Sequence, residues 1–335
     1  MRRPASPAAV EREDGEVEMA RFLLRRVLLG LLTLWLVSVV VFAATQALPG
    51  NAATAILGRN ATPARVAALT RQLHLNQPVV SQYTHWLGGI VQGNLGISAA
   101  TQQPVTQYIS GRVDNSAFLV LVSALVALPL SILLGVWMAV RRDRAADHIG
   151  SITTLVLAAL PEFVIGIGLA LLLATNVSHV LPAVTIIPPG EHAWDEFKMV
   201  ILPAATLVIA VTPYISRIMR ASMVEVLESD YVTMARLKGL PNRTVIWRHA
   251  VPNAIVPAIQ VSALQLAYLA GGIVVVEYVF SFPGIGSALV DAVGNRDMPV
   301  VQALALIMAA VYVVVNLAAD LVTILVTPRL RTAGR

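Results

Sequence analysis

Cysteine is absent from the 335-residue sequence, and lysine occurs only at Lys198 and Lys238. Without cysteine there is no disulfide framework, no thiolate nucleophile and no cysteine-based metal site. Neither lysine sits in a G-x-x-x-x-G-K-[ST] pattern, so the chain carries no phosphate-binding P-loop. The histidines, His74, His85, His148, His179, His192 and His249, lack metal-ligand spacing such as H-E-x-x-H, and no G-x-S-x-G elbow is present. Charge is scarce as well: 13% of residues are charged, where soluble domains have roughly 25%. Apolar residues, by contrast, make up 57% of the chain and the mean hydropathy is +0.73. That balance excludes a disordered chain and points to the membrane.

Six apolar stretches are long enough to cross a ~30 Å hydrocarbon core as helices: 27–47, 117–140, 149–175, 199–216, 254–280 and 300–327. Only Glu162, Glu277 and Asp320 are charged within them. The fold class expected is therefore all-α integral membrane, with six transmembrane helices.

Basic residues accumulate on the cytoplasmic side of membrane proteins. With the amino terminus inside, the inner segments 1–26, 141–148, 217–253 and 328–335 hold 18 of the 24 Lys and Arg, and the outer segments hold 6. Both termini are thus expected in the cytoplasm of a multi-pass protein. The net charge of +5 is spread along membrane flanks, which argues against a nucleic-acid partner.

Residues 1–18 are polar and acidic and read as a disordered extension, with Met19 as an alternative start. The first apolar run is 21 residues long, longer than a signal peptide's apolar region, and ends at Leu48-Pro49-Gly50, so it is expected to be retained as a span. In the outer segment 48–116, Thr62-Pro63 reads as a helix start, with Val66, Leu69 and Leu73 at helical spacing. Gln77-Pro78 interrupts, and Tyr83, Trp86, Leu87 and Ile90 resume before Gly93-Asn94-Leu95-Gly96. Two short surface helices are expected, packed on span ends or turned to a partner.

The inner segment 217–253 is the most informative. It reads as helix, tight turn, helix: Gly239 suits the left-handed residue that closes a helix, and Pro241 the first turn of the next. Tyr231, Met234, Ala235 and Lys238 share one face, and Val245, Trp247 and His249 form a second apolar element. A short amphipathic hairpin has few duties within a membrane domain, and its shape suits being gripped from outside.

Asp230-Tyr231-Val232, Ala235-Arg236-Leu237-Lys238-Gly239-Leu240, His249, Pro252-Asn253 and Pro257 resemble the EAA loop of ABC-importer permeases. The closest likeness is to the B-type permease of dipeptide and oligopeptide importers, where Ala is usual at the place of Leu237. The resemblance extends from about residue 19 to 331. It includes Arg21-Phe22 and Arg25-Arg26, the outer-segment motifs above with Ser98, and Glu277-Tyr278-Val279-Phe280-Ser281-Phe282-Pro283-Gly284-Ile285-Gly286. Arg296-Asp297-Met298-Pro299-Val300, Asn316, Asp320 and Pro328-Arg329 also match, although Thr327 replaces the usual Asp.

This resemblance implies a type I importer permease domain over 19–331, with a tail at 332–335, in the cytoplasmic membrane of a prokaryote. It implies that the hairpin is a coupling helix seated in a groove of a cytoplasmic ATPase. By position, Asp230, Tyr231, Ala235, Arg236, Lys238, Gly239, Leu240, His249 and Asn253 would serve that contact; a merely solvated loop is the alternative. The implied partners are a homologous second permease, two ATPase subunits that bind the ATP and Mg, an extracytoplasmic peptide-binding protein and membrane lipid. No cofactor is expected in this chain. The implied solute is a short peptide, with nickel chelates as rival cargo.

An ion-coupled secondary transporter is a different class that would use intramembrane charges, but it has no use for the hairpin. An ionisable group at bilayer depth costs roughly 2.5–3.5 kcal/mol on insertion scales. Pro161, just before Glu162, removes a backbone hydrogen bond, so span three is expected to kink there and face protein or a watery cavity. Glu162 and Glu277 are accordingly candidates either for lining the translocation path or for hydrogen-bonded packing, and Asp320 for packing. Gly271-Gly272 suits close helix approach, or flexing.

Overall fold

The computed structural model describes residues 7–47, 57, 61–72, 77–175, 180–188 and 190–326. In chain order its helices are α1 (Pro7–Ala47), α2 (Pro63–Gln72), α3 (Val79–Val91), α4 (Val105–Val140), α5 (Ala145–Ala159), α6 (Glu162–Ala170) and α7 (Phe197–Leu227). There follow α8 (Asp230–Leu237), α9 (Asn242–Thr244), α10 (Val251–Val279), α11 (Ile285–Gly294) and α12 (Met298–Val326). A π-helical turn, Leu171–Thr175, prolongs α6, and another, Val245–Ala250, joins α9 to α10. Among the described residues five helices are long and apolar enough to cross a membrane, and six spans result if the bent pair α5–α6 counts as one. Leu48-Pro49-Gly50, Leu73, Thr327, Pro328-Arg329 and the tail 332–335 lie outside the described residues.

The third span, 149–175, is broken at the expected proline and by more than a kink. It breaks between α5 and α6 with a bend of 105°. Pro161 lacks an N–H and drives the preceding residue out of the helical region, and Leu160 is extended at φ −82°, ψ 132°. A difference from the expected organisation lies at the amino terminus. Residues 7–18, expected as a disordered extension, continue α1 as helix; four Glu and two Ala there have high helix propensity. Both outer helices form, and Thr62 Oγ1 accepts the Arg65 N–H at 3.4 Å at the start of α2. Tyr83 and Trp86 of α3 pack on Phe42 of α1 with ring centroids 5.4 and 5.3 Å apart, so α3 rests on a span end.

Helix α7 is the central element. Of its apolar window 67% is buried, against 11% for α1, which lies at the periphery. It meets α4 closely at Gly135, where a Cβ would stand 2.6 Å from the Ser216 carbonyl oxygen and 2.7 Å from Met219 Cβ. Small residues permit such backbone approach between spans. Leu119, Leu202, Leu207, Ile273 and Phe280 build the core where α4, α7 and α10 meet, and Val136, Met219, Met223 and Ala254 continue it towards the hairpin. Hydroxyls at these depths are satisfied along their own helices: Ser123, Ser131, Thr206 and Ser262 each bond a carbonyl one turn back, at 2.6–2.9 Å. Gly271 does not serve helix approach within the chain, since a Cβ there would meet nothing within 4 Å.

Candidate functional site

The hairpin folds as its residues dictate. Ser229 enters extended, at φ −70° and ψ 151°, and Asp230 places negative charge in the first turn of α8, where the helix dipole favours it. Gly239 closes the turn at φ +76°, with its N–H on the Arg236 carbonyl at 2.9 Å. Pro241 then leads into α9. Val232, Ala235 and Val245 are buried against Val226 and Leu227, which pins the hairpin to the end of α7.

Of the residues that share one face of α8, most turn outward. Ala235 is buried, but Tyr231 and Met234 point outward and Lys238 is exposed; Trp247 of the second arm is exposed too. Asp230, Arg236 and Leu240 are also exposed, and His249 accepts the Asn253 side-chain amide on its carbonyl at 2.8 Å. Leu237, where the resembling family has Ala, is 77% exposed. The hairpin thus presents Tyr231, Met234, Leu237 and Leu240 together with Arg236 and Lys238 on one rigid turn. Met234 and Leu237 escaped the sequence-level choice because helical spacing cannot say which face the end of α7 covers.

The intramembrane acids differ from one another. Glu162, at the α5–α6 break, is half-buried and accepts the Tyr268 hydroxyl of α10 at 3.1 Å. Asp320 pairs with Arg26 of α1 at 3.1 Å, so its role is an ion pair between α1 and α12. Glu277 is fully buried, and its surroundings are those of the packing alternative. Its Oε1 accepts the Ser116 hydroxyl of α4 at 2.5 Å, and its Oε2 accepts the Gly286 and Ser287 N–H groups at 2.7 and 3.1 Å. The carboxylate therefore ties α10 to α4 and to the first turn of α11, whose free N–H groups and dipole attract it. Its approach requires glycine: a Cβ on Gly284 would overlap the carboxylate, and one on Gly286 would stand 2.5 Å from Val274 Cα.

Two further clamps were not anticipated. Asp297 is buried and accepts the Ser98 hydroxyl at 2.5 Å and the Ala99 N–H at 3.0 Å, tying the outer segment to the start of α12. At the hairpin side Arg220 of α7 grips Asp147 of α5 with two bonds of 2.6 Å, and Asp147 is 1% exposed. Ser98 and Asp297 both lie in quoted motifs, yet nothing in one sequence pairs residues 199 positions apart.

Comparison with known proteins shows the family. Residues 131–332 match the family described as binding-protein-dependent transport system inner membrane component, and residues 19–120 match its N-terminal domain. A probable peptide ABC transporter permease of Sinorhizobium fredii, y4tP, is 34% identical over 314 residues, covering 93% of this chain and 100% of that protein. The glutathione transport system permease GsiC of Escherichia coli K12 is also 34% identical, over 93% of this chain and 99% of its own length. Among solved structures, an amino acid ABC transporter crystallised with histidines aligns over 67% of this chain and 94% of its own, with 17% identity and a TM-score of 0.46. Matched over most of its length and built of the spans such a component needs, this chain belongs to the binding-protein-dependent inner membrane components, the permease subunits of ABC importers.

Proposed function

We propose that the chain moves short peptides across the cytoplasmic membrane, driven by ATPase subunits that hold the hairpin 230–240. The observation that carries the reading is the hairpin face itself. A turn outside the spans that exposes Tyr231, Met234, Leu237 and Leu240 together has an unfilled apolar surface, and such surfaces mark contacts with other proteins. Arg236 and Lys238 beside it supply polar contacts, and His249 and Asn253 stiffen the second arm. The peptide cargo draws support from relatives named for peptide and glutathione transport.

In this reading a homologous permease completes the pore, two ATPase subunits bind ATP and Mg, and an extracytoplasmic binding protein delivers the peptide. The bias of 18 basic residues to 6 supports termini on the ATPase side. Glu162 is the one carboxylate retained for the path: it is half-buried at a broken span, and irregular backbone at bilayer depth is tolerated where it lines a cavity or protein. The test is uptake by proteoliposomes holding the complete importer, with labelled dipeptide, tripeptide and a nickel chelate in parallel. ATP-dependent accumulation of peptide alone is expected; accumulation of the chelate alone overturns the cargo, and accumulation without ATP overturns the mechanism.

A further inference from the structure

Near the hairpin, a groove of about 550 Å³ opens between the end of α4 and the turn 245–250. Leu130, Leu133 and Leu134 form its α4 wall, and Ile246 and Trp247 close the other side. The rim is cationic. Arg141 lies over the Trp137 ring at 5.0 Å, and Trp247 is shared with an adjoining hollow of about 410 Å³ lined by Arg243 and Arg248. All three arginines are exposed, and none has an ion pair among the described residues. The acids of the same edge are engaged elsewhere: Asp143 and Glu228 both pair with Arg142.

We propose that this groove binds one anionic phospholipid from the leaflet on the hairpin side, with an acyl chain along Leu130 and Leu133 and the phosphate among Arg141, Arg243 and Arg248. Three features select a lipid over a protein. The apolar wall belongs to α4, a candidate membrane span of whose apolar window only 22% is buried within the chain, so it is open to an acyl chain. Trp137 and Trp247 stand where amphipathic rings favour the headgroup level. Unpaired guanidinium groups at that level complement a phosphate, and basic pockets between spans recognise anionic headgroups. The site sits beside the pin of α8, so a bound lipid would brace the second arm of the hairpin against α4.

The experiment is native mass spectrometry of the full chain in detergent, offered phosphatidylglycerol or phosphatidylcholine of identical acyl chains. Phosphatidylglycerol is expected to be retained severalfold more often, and the preference should vanish in the triple variant Arg141→Gln/Arg243→Gln/Arg248→Gln. Arg243→Gln alone should weaken it, which keeps the test available if the triple variant does not fold. Arg65→Gln/Arg71→Gln, on the other side of the membrane, should leave it intact. Equal retention of the two lipids, or an unchanged preference in the arginine variants, overturns the proposal. Displacement by inorganic phosphate at millimolar concentration would make the rim a free-anion site and overturns it as well. So would loss of ATPase association with lipid retention intact in the variants, because the rim would then be a protein contact.

Discussion

Replacing Glu277 should destabilise the chain and leave translocation per assembled importer unchanged. The carboxylate accepts three hydrogen bonds in a fully buried setting, two from backbone N–H groups of α11 and one from Ser116. In Glu277→Gln the amide oxygen can keep the Gly286 and Ser287 N–H groups. The amide nitrogen must then face Ser116 Oγ, which already accepts the Ile285 N–H at 2.9 Å. A hydroxyl has two acceptor sites, so both donors fit, but the Ser116 proton loses its acceptor and the two backbone bonds lose their charge assistance. Hydrogen bonds to charged groups are worth about 1.5–3 kcal/mol, and neutral ones about half that, so a loss of about 1–3 kcal/mol is expected. Glu277→Ala goes further: two N–H groups and a hydroxyl are orphaned at about 1–3 kcal/mol each, or about 3–6 kcal/mol if water partly fills the space.

The assay is the fraction of purified permease that stays monodisperse after heating, alongside peptide uptake per assembled complex. Stability should fall in the order Glu277, Gln, Ala, with uptake per complex constant for Gln. Uptake lost in Glu277→Gln with thermal stability unchanged would refute the reasoning and return this side chain to the path.

Three other outcomes follow from the same structure. Gly239→Val forces a β-branched residue into the left-handed region at φ +76°, at a cost of about 1–2 kcal/mol, while its Cβ meets no neighbour within 4 Å. Membrane insertion should be normal and co-purification of ATPase subunits reduced, and wild-type association would remove the hairpin from the contact. Arg220→Ala leaves Asp147 buried without its partner and should cost about 3–5 kcal/mol, whereas Asp147→Ala/Arg220→Ala should cost less than the two single changes summed; additive losses in thermal stability would contradict a buried pair. Reporters fused at Arg144 and after Arg335 should read cytoplasmic and one at Arg71 external, and a cytoplasmic signal at Arg71 would dismantle the orientation.

Which parts were legible in the sequence follows from the range of the interactions involved. The break at Pro161, the cap at Thr62 and the left-handed closure at Gly239 depend on neighbours within a few residues, and all three are in place. The role of Glu277 was not legible, because a carboxylate in an apolar run looks the same whether water or buried N–H groups surround it. Its partner Ser116 is 161 residues away, and the N–H groups appear only once α11 has turned back over α10. Which face of α8 turns outward was not legible for a related reason. Spacing defines a stripe on a helix, but only the pin of Val232 and Ala235 against Val245 decides which stripe is covered.

The positions of the clamps bear on where this fold can flex. Glu277 with Ser116, and Asp297 with Ser98, bind α4, α10, α11, the outer segment and the start of α12 through buried charge-assisted bonds. Such bonds are costly to open singly, so this end should move as one piece. On the hairpin side, the bidentate Asp147–Arg220 pair fastens α5 to α7, and Gly135 locks α7 onto α4. Between these fastened ends lies the extended Leu160-Pro161 break, where backbone hydrogen bonds are already missing. Its cross-ties are lighter: Tyr214 donates to the Ala158 carbonyl at 3.2 Å and Tyr268 to Glu162 at 3.1 Å, both from half-exposed side chains. A displacement that enters through the hairpin and α7 therefore meets least resistance at this break, which is also where Glu162 sits.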